Sequence, residues 1–341
     1  MVNAASILAV TCACLGALWL LLTAVALVNR AVYDRRLAGN ARDLRAAPGS
    51  RRERRFLRRA AGHRTGVGRW RRVATLQALA EARHPEVRHL LERALADPDP
   101  EVVSAAVKAL GQLGDEWAAE ALADALRDER YSRSRIAAQL ERLVPKVGHL
   151  LVPLLADPQP PVRFWAATLL ARYPGLAVDE LIACTRDRDA NVRAAAVEAL
   201  GSSGDLAALP AALNLLGDRA WFVRAHACRA AGALGTAEVA TAVARLLADE
   251  WWWVRAAAKD ALRSLGPSAS PSIVPYLEHA DRFARNSAAE VLQDVGFVDT
   301  LAAHDPSGDL LARIYAAGGR RLREAAERRV ETVPRHIEEA A

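Results

Sequence analysis

The stretch "NVRAAAVEALGSSGDLAALPAALNLLGD", residues 191–218, decides the fold of this chain. Its first half spaces apolar residues three, four and seven positions apart, which predicts a helix with one buried face. We expect this helix to end at Gly201 and a second to begin at Asp205, after a turn at Gly204. The stretch therefore predicts two helices joined by a short turn.

The same pattern returns every 30 or 31 residues. Eight segments can be aligned on the position of Arg193, which we call the marked position. The residues at this position are Arg72, Val103, Arg133, Arg163, Arg193, Arg224, Arg255 and Arg285. A leucine follows seven residues after each of them, except in one unit, where Ala231 takes its place. Because stacked helix pairs bury a continuous core between neighbours, the period predicts an all-α solenoid of about eight to nine helix pairs.

A second periodic feature is an aspartate six residues before the marked position, at the turn into the helix. We expect these aspartates and the marked arginines to form hydrogen bonds and ion pairs that link neighbouring repeats. The predicted set comprises Asp157, Arg163, Asp187, Arg193, Asp218, Arg224, Asp249, Arg255 and Arg285. Its role is structural, although arginines of this kind would also suit ligand contacts.

The core D-x-x-x-x-V-R-x-x-A-x-x-x-L is clearest in Asp187 with Val192-Arg193, and it recurs from Asp218 and from Asp249. It resembles HEAT repeats of the short bacterial kind named after phycobilisome lyases, and the resemblance covers residues 66–296. The resemblance implies a binding scaffold without a specific activity. It further implies a membrane enzyme or envelope machine as partner, for instance a glycosyltransferase that makes a surface polysaccharide.

Residues 4–28 are uncharged and mostly apolar. As a helix they would extend about 37 Å, which predicts a single transmembrane anchor. A cleaved signal peptide is the alternative, since Ala24-Val25-Ala26 offers a cleavage-like motif, but such a peptide carries a basic segment before its apolar core. Here the basic residues follow the apolar stretch.

The basic residues are concentrated beside this apolar stretch. Residues 30–72 contain 15 arginines against three acidic residues, whereas residues 73–341 contain 31 basic and 37 acidic residues. The positive-inside rule then predicts a single-pass inner-membrane protein with its N-terminus outside and its solenoid in the cytoplasm. The lipid-headgroup contacts predicted on this basis are Arg30, Arg35, Arg36, Arg51, Arg52, Arg54 and Arg55.

These features predict four segments. They are an anchor at 1–29, an Arg-rich juxtamembrane collar at 30–65, a HEAT-repeat solenoid at 66–296, and a degenerate repeat with a C-terminal capping helix at 297–341.

Catalytic and metal-binding motifs are missing from the sequence. It has no H-E-x-x-H, C-x-x-C or G-x-S-x-G motif, and its histidines are scattered. The four cysteines, Cys12, Cys14, Cys184 and Cys228, are interpreted as buried, reduced thiols. We therefore predict a protein that is not an enzyme and that holds neither a metal nor a cofactor.

Three consecutive tryptophans stand out against this regular background. In the repeat register Trp253 occupies a position that is often aromatic, so we expect it to pack against the neighbouring repeat. Trp221, Trp251 and Trp252 occupy positions that are polar in other units, and we predict an exposed apolar strip there. Further predicted contacts are Arg219, Arg282, Phe164 and Trp165. The alternative is that the rings fold over the turn and cover the core.

The sequence thus predicts a membrane-tethered scaffold that binds another protein through its solenoid. Two alternatives stay open at this point. The resemblance to phycobilisome lyases would allow a tetrapyrrole-handling protein, and resemblance to HEAT-like DNA glycosylases would allow a nucleic-acid-binding protein. The acidic balance of residues 73–341 disfavours the second, because phosphate contacts supply most of the affinity for nucleic acid.

Overall fold

The structure is a computed structural model. It describes residues 38–46, 50–61, 67–143, 147–235, 239–304 and 308–318, together with Trp19, Val32, Arg35 and Arg36. All regular structure in these residues is helical. The chain divides into two compact units, Met1–Leu143 and Val144–Ala341, and this boundary lies inside the range predicted as one solenoid.

The first unit contains six helices whose full ranges lie within the described residues. They are α1 (Arg51–Ala61), α2 (Val67–Glu81), α3 (Val87–Leu95), α4 (Pro100–Leu113), α5 (Glu116–Ala125) and α6 (Arg133–Arg142). Residues 38–46 are helical as well.

Part of the predicted collar packs on the first repeat. Phe56 and Ala60 of α1 are buried, and Arg72 of α2 donates from Nε to the carbonyl oxygen of Ala60 over 2.9 Å. Glu53 of α1 contacts His84 Nε2 at 2.6 Å. Helix α1 therefore packs against α2, although most of its described arginine side chains are exposed.

The second unit contains twelve α-helices and several short 3₁₀ segments within the residues described. The α-helices are α7 (Gly148–Leu151), α8 (Pro160–Leu170), α9 (Val178–Cys184), α10 (Ala190–Ser203), α11 (Leu209–Leu215), α12 (Trp221–Leu234), α13 (Ala240–Ala244), α14 (Trp252–Leu265), α15 (Ser270–Ile273), α16 (Arg282–Asp294), α17 (Phe297–His304) and α18 (Asp309–Ala317). The 3₁₀ segments are Val152–Ala156, Leu206–Ala208, Arg245–Ala248, Pro267–Ala269 and Val274–Glu278.

Helices α8, α10, α12, α14 and α16 carry the marked residues, and neighbouring members of this set pack against one another. In α14 the buried residues are Val254, Ala257, Ala258, Ala261 and Leu262, whose spacing forms one continuous face. Alanine dominates the core of this unit. Small side chains allow the helices to approach closely.

Helix α10 continues past the point predicted for its end. It includes Gly201 and stops at Ser203, before Gly204 with φ of 70° and the capping residue Asp205. A β-carbon at Gly201 would lie 2.8 Å from the α-carbon of Ala230. Gly201 therefore serves the close contact between α10 and α12 and does not break the helix.

The prediction of a single-pass inner-membrane protein is contradicted. Among the residues that the structure describes, no helix is long and apolar enough to cross a membrane. The longest, α2, has 15 residues and extends about 22 Å, whereas a transmembrane helix needs about 20 apolar residues. Apart from Trp19, residues 4–28, which prompted the prediction, lie outside the described part, as does the predicted capping helix beyond Gly318.

Candidate interaction surface

Three turns of the second unit, those that carry Asp187, Asp218 and Asp249, are each held by a bidentate ion pair with the arginine of the preceding repeat, which we call a rung. In the central rung, Arg193 donates from Nε to Oδ2 of Asp218 over 2.7 Å and from Nη2 to Oδ1 over 2.9 Å. Its Nη1 donates to the carbonyl oxygen of Asp187 in its own turn over 2.9 Å. One guanidinium thus joins two successive turns. The same geometry is found in Arg163–Asp187 and Arg224–Asp249.

The carboxylates of the rungs are also bound by the backbone. Oδ1 of Asp218 accepts from the N–H of Ala220 over 2.8 Å, and only 8% and 7% of the Arg193 and Asp218 side chains are exposed. With so little exposure, these groups are not available to a ligand. The first unit has an ion pair of different geometry, in which Arg72 donates from Nη1 to Asp97 and from Nε to the carbonyl oxygen of Ala60. Oδ1 of Asp157 accepts from the N–H of Gln159.

Acid is expected to destabilise the second unit through its rungs. Burial alone would raise the pKa of Asp187 and Asp218, but hydrogen bonds from Arg163, Arg193 and the backbone outweigh it and lower both pKa values. The stabilisation is therefore complete above the unfolded-state pKa of about 3.9 and is lost as the pH falls through the lower folded-state value. Urea midpoints measured from pH 7 to pH 2.5 should drop at the acid end. A midpoint that falls equally in Asp218→Asn and wild type would contradict this assignment.

The three consecutive tryptophans are exposed at the beginning of α14. The exposed fractions of Trp251, Trp252 and Trp253 are 45%, 58% and 58%. Trp251 stacks on the half-buried Trp221 of the preceding repeat, with ring centroids 5.7 Å apart and an interplanar angle of 20°. Trp252 and Trp253 make an edge-to-face contact at 4.6 Å. With the exposed Phe283 of the next repeat, these rings form what we call the aromatic strip: Trp221, Trp251, Trp252, Trp253 and Phe283.

The packing role predicted for Trp253 is wrong. The buried face of α14 begins at Val254, and the preceding residue points away from that face. Phe283 occupies the same register in α16 and is 50% exposed. The periodic aromatic at this position is therefore a surface feature in these two repeats.

Other predicted contacts lie at different distances from the strip. The guanidinium of Arg282 lies 4.9 Å from the ring centroid of Phe283, so this arginine extends the strip. Arg219 lines a groove with Asn214, next to the turn that carries Trp221. Phe164 and Trp165 form an edge-to-face pair of their own at the start of α8, two repeats before Trp221.

Most of the arginines predicted to contact lipid lie in the described part of the chain. Within the described part, Arg35, Arg36, Arg51, Arg54 and Arg55 are exposed. Arg30 and the side chain of Arg52 lie outside the described residues. Exposure alone does not support lipid contact, and the predicted membrane location is contradicted.

The thiols of the second unit are unsuited to nucleophilic or redox chemistry. Burial raises the pKa of Cys184 to about 11 and that of Cys228 to about 12. Both thiols are therefore protonated near neutral pH, and the thiolate is the reactive form. Among the described residues, no three histidine, cysteine, aspartate or glutamate side chains are grouped as metal ligands.

Comparisons with known proteins define the class. A family model for HEAT repeats matches residues 69–141 and 178–263, so these two segments are HEAT repeats. HEAT-repeat solenoids are typically non-enzymatic scaffolds, and the family found is not a catalytic one. The match is to HEAT repeats in general and does not support the narrower phycobilisome-lyase type. No curated protein matches the sequence.

Solved structures with a similar arrangement have little sequence identity to this chain. A crystal structure of an engineered protein is 17% identical, with 86% of this chain and 99% of that chain covered and a TM-score of 0.42. Kap95p in a complex with RanGDP is 18% identical, with 77% and 47% covered and a TM-score of 0.49. The Kap95:Nup1 complex gives 16% identity, 77% and 46% coverage and a TM-score of 0.47. The chain spans about half the length of these two Kap95 chains.

Proposed function

We propose that this chain is a non-enzymatic scaffold whose second unit binds a protein partner through the aromatic strip. The observation that carries the proposal is the exposure of Trp251, Trp252, Trp253 and Phe283 on adjacent turns of one repeat surface. Large exposed apolar patches are uncommon on monomeric proteins and mark interaction sites. Tryptophan and arginine are also the residues that most often dominate binding energy.

The strip is held in place before any partner binds. Trp251 stacks on Trp221 and donates from Nε1 to Glu250 over 2.9 Å. Trp221 itself packs against the buried core of the unit. Because these rings are already ordered, binding loses less side-chain freedom than it would with mobile rings.

Nucleic acid is a poorer candidate for this surface. Residues 73–341 contain more acidic than basic residues. The guanidinium groups of Arg163, Arg193 and Arg224 are already paired with aspartates of the repeats. These three guanidinium groups are therefore not available to bind phosphates, which supply most of the affinity for nucleic acid.

A variant that removes three exposed rings tests the proposal. Full-length wild type and Trp251→Ala/Trp252→Ala/Trp253→Ala are purified with cross-linking from cells that express the protein. We expect one protein captured with wild type to fall at least about tenfold with the variant, as expected when interface anchors are truncated. Trp221 stays unchanged because it contacts the core.

A matched control separates loss of the strip from loss of any exposed apolar residue. Leu206 is 60% exposed and lies outside the strip, so Leu206→Ala should capture the same partner as wild type. Circular dichroism would establish that all three proteins are folded. If the triple variant captures the same proteins in the same amounts as wild type, the strip is not the docking site.

A further inference from the structure

The series of rungs stops beside the aromatic strip. Arg255 follows Arg224 in register, and the position that should carry its aspartate is occupied by His279. The backbone there is unchanged, because Asp249 and His279 share the same φ of −60° and ψ of 144°. Only the side chain differs, so the rung is missing its carboxylate and nothing else.

His279 replaces one of the two tasks of the aspartate. Its Nδ1 accepts from the N–H of Asp281 over 3.1 Å, as Oδ1 of Asp249 accepts from the N–H of Trp251 over 2.9 Å. Since Nδ1 is an acceptor here, the neutral imidazole carries its proton on Nε2. The ring therefore places a carbon, Cδ2, where the aspartate would carry its second acceptor oxygen, and its Nε2 donor lies one bond farther out.

Arg255 consequently lacks the aspartate that would contact its Nε and Nη2, and we call these two donor atoms its open edge. Its Nη1 donates to the carbonyl oxygens of Asp249 and Glu250 over 2.7 and 3.1 Å, as in the closed rungs. Within the described part of the chain, no carboxylate contacts its Nε or Nη2. Among the described residues, Arg285 likewise binds only the carbonyl oxygens of the turn before it, those of His279 and Ala280.

The surroundings of this edge contain an aromatic ring and a second guanidinium group. The guanidinium of Arg255 lies 5.3 Å from the ring centroid of Phe283, on which Arg282 also lies. The nearby carboxylates have other contacts: Asp281 caps α16, and Glu250 binds the indole of Trp251. An acidic group from outside the chain would therefore meet donors that no carboxylate of the described residues contacts.

We infer that the open edge of Arg255 binds an aspartate or glutamate side chain of the protein partner, whose apolar neighbours lie on the aromatic strip. The incoming carboxylate accepts two charge-assisted hydrogen bonds from Nε and Nη2 of Arg255, the same two atoms that donate to Asp249 in Arg224. The Nε2 proton of His279 is a further donor on the same turn. The partner segment is thus acidic and apolar, which deepens the proposed function and rests on it.

The most specific test restores the missing carboxylate of the rung on the chain itself. His279→Asp should pair with Arg255 as Asp249 pairs with Arg224, raising the thermal midpoint while blocking the site. His279→Asn is the matched control, because its amide oxygen can accept from Asp281 but its side chain carries no charge. Arg255→Gln removes the guanidinium. None of these substitutions alters a residue of the strip.

The probe is an array of random ten-residue peptides of equal apolar content, incubated with full-length protein. We expect peptides bound by wild type to be enriched in aspartate and glutamate, and to lose about tenfold in affinity when these become amides. The enrichment should persist in His279→Asn and vanish in His279→Asp and Arg255→Gln. Bound peptides without acidic enrichment, no binding at all, or enrichment that survives Arg255→Gln would overturn the inference.

The two proposals fail in different ways. If the tryptophan variant loses its partner while peptides show no acidic preference, only the carboxylate inference is wrong. If the tryptophan variant keeps its partner, the strip is not the docking site, whatever the peptide array shows.

Discussion

Replacing Asp218 with alanine is expected to lower the free energy of unfolding of the second unit by about 3–5 kcal/mol, the range observed when one partner of a buried ion pair is removed. The substitution leaves the guanidinium of Arg193 almost fully buried without its counter-charge. It also removes the acceptor of the Ala220 N–H. The expected decrease in the free energy of unfolding is therefore larger than the net contribution of one hydrogen bond.

An exposed ion pair of the same unit provides the control. Asp260 contacts Arg263 at 2.8 Å, but 67% of its side chain is exposed. Asp260→Ala should cost less than about 1 kcal/mol, since solvent screens such pairs. Urea denaturation followed by circular dichroism measures both variants. Equal losses would show that the rungs contribute no more than surface pairs.

Replacing Gly232 with valine is expected to cost about 3 kcal/mol, at the upper end of the usual penalty for overpacking. A β-carbon at this position would lie 2.7 Å from the α-carbon of Ala261. Because the nearest atom belongs to the backbone of α14, no side-chain rotation can relieve the contact. Helices α12 and α14 would have to move apart.

Gly217 is the matched control for this substitution. It lies in the same unit, and the nearest atom to its hypothetical β-carbon is 4.0 Å away. Gly217→Ala should therefore leave the thermal midpoint unchanged or raise it slightly. If Gly232→Val melts with wild type, the close approach of α12 and α14 is not what stabilises them.

The period of the repeat was sufficient to predict the fold. Steps of 30 or 31 residues between the marked positions indicated stacked helix pairs, and the matched HEAT repeats confirm that class. The period also predicts that the recurring arginines and aspartates link neighbouring repeats, without assigning the individual pairs. These features are readable because they recur, so each unit supports the assignment of the next.

Single departures from the period were harder to interpret. The sequence predicts a helix end at Gly201, because a glycine can mark either a helix terminus or a close contact between two helices. The sequence does not predict the exposure of Trp253, because an aromatic residue that recurs with the repeat can either pack in the core or lie on the surface. His279 replaces a periodic aspartate, and that substitution was visible in the sequence alignment of the repeats.

Features that depend on contacts between distant segments could not be predicted from the repeat alone. The packing of α1 on α2 through Phe56 and Ala60 places part of the basic segment on the first repeat. An arginine-rich composition gave no sign of this, because two buried apolar residues among many charges have no distinctive pattern. The boundary between the two compact units likewise lies within the periodic region.

Site-specific photo-cross-linking tests the central claim most directly. A photoreactive benzoylphenylalanine replaces Trp252 in the full-length protein, and a second version carries it at the equally exposed Leu206. Irradiation in cells that express the protein should link the probe at position 252 to one protein, whereas the probe at position 206 should not capture that protein. No protein adduct at position 252, or the same adducts at both positions, would contradict the assignment of the aromatic strip as a docking surface.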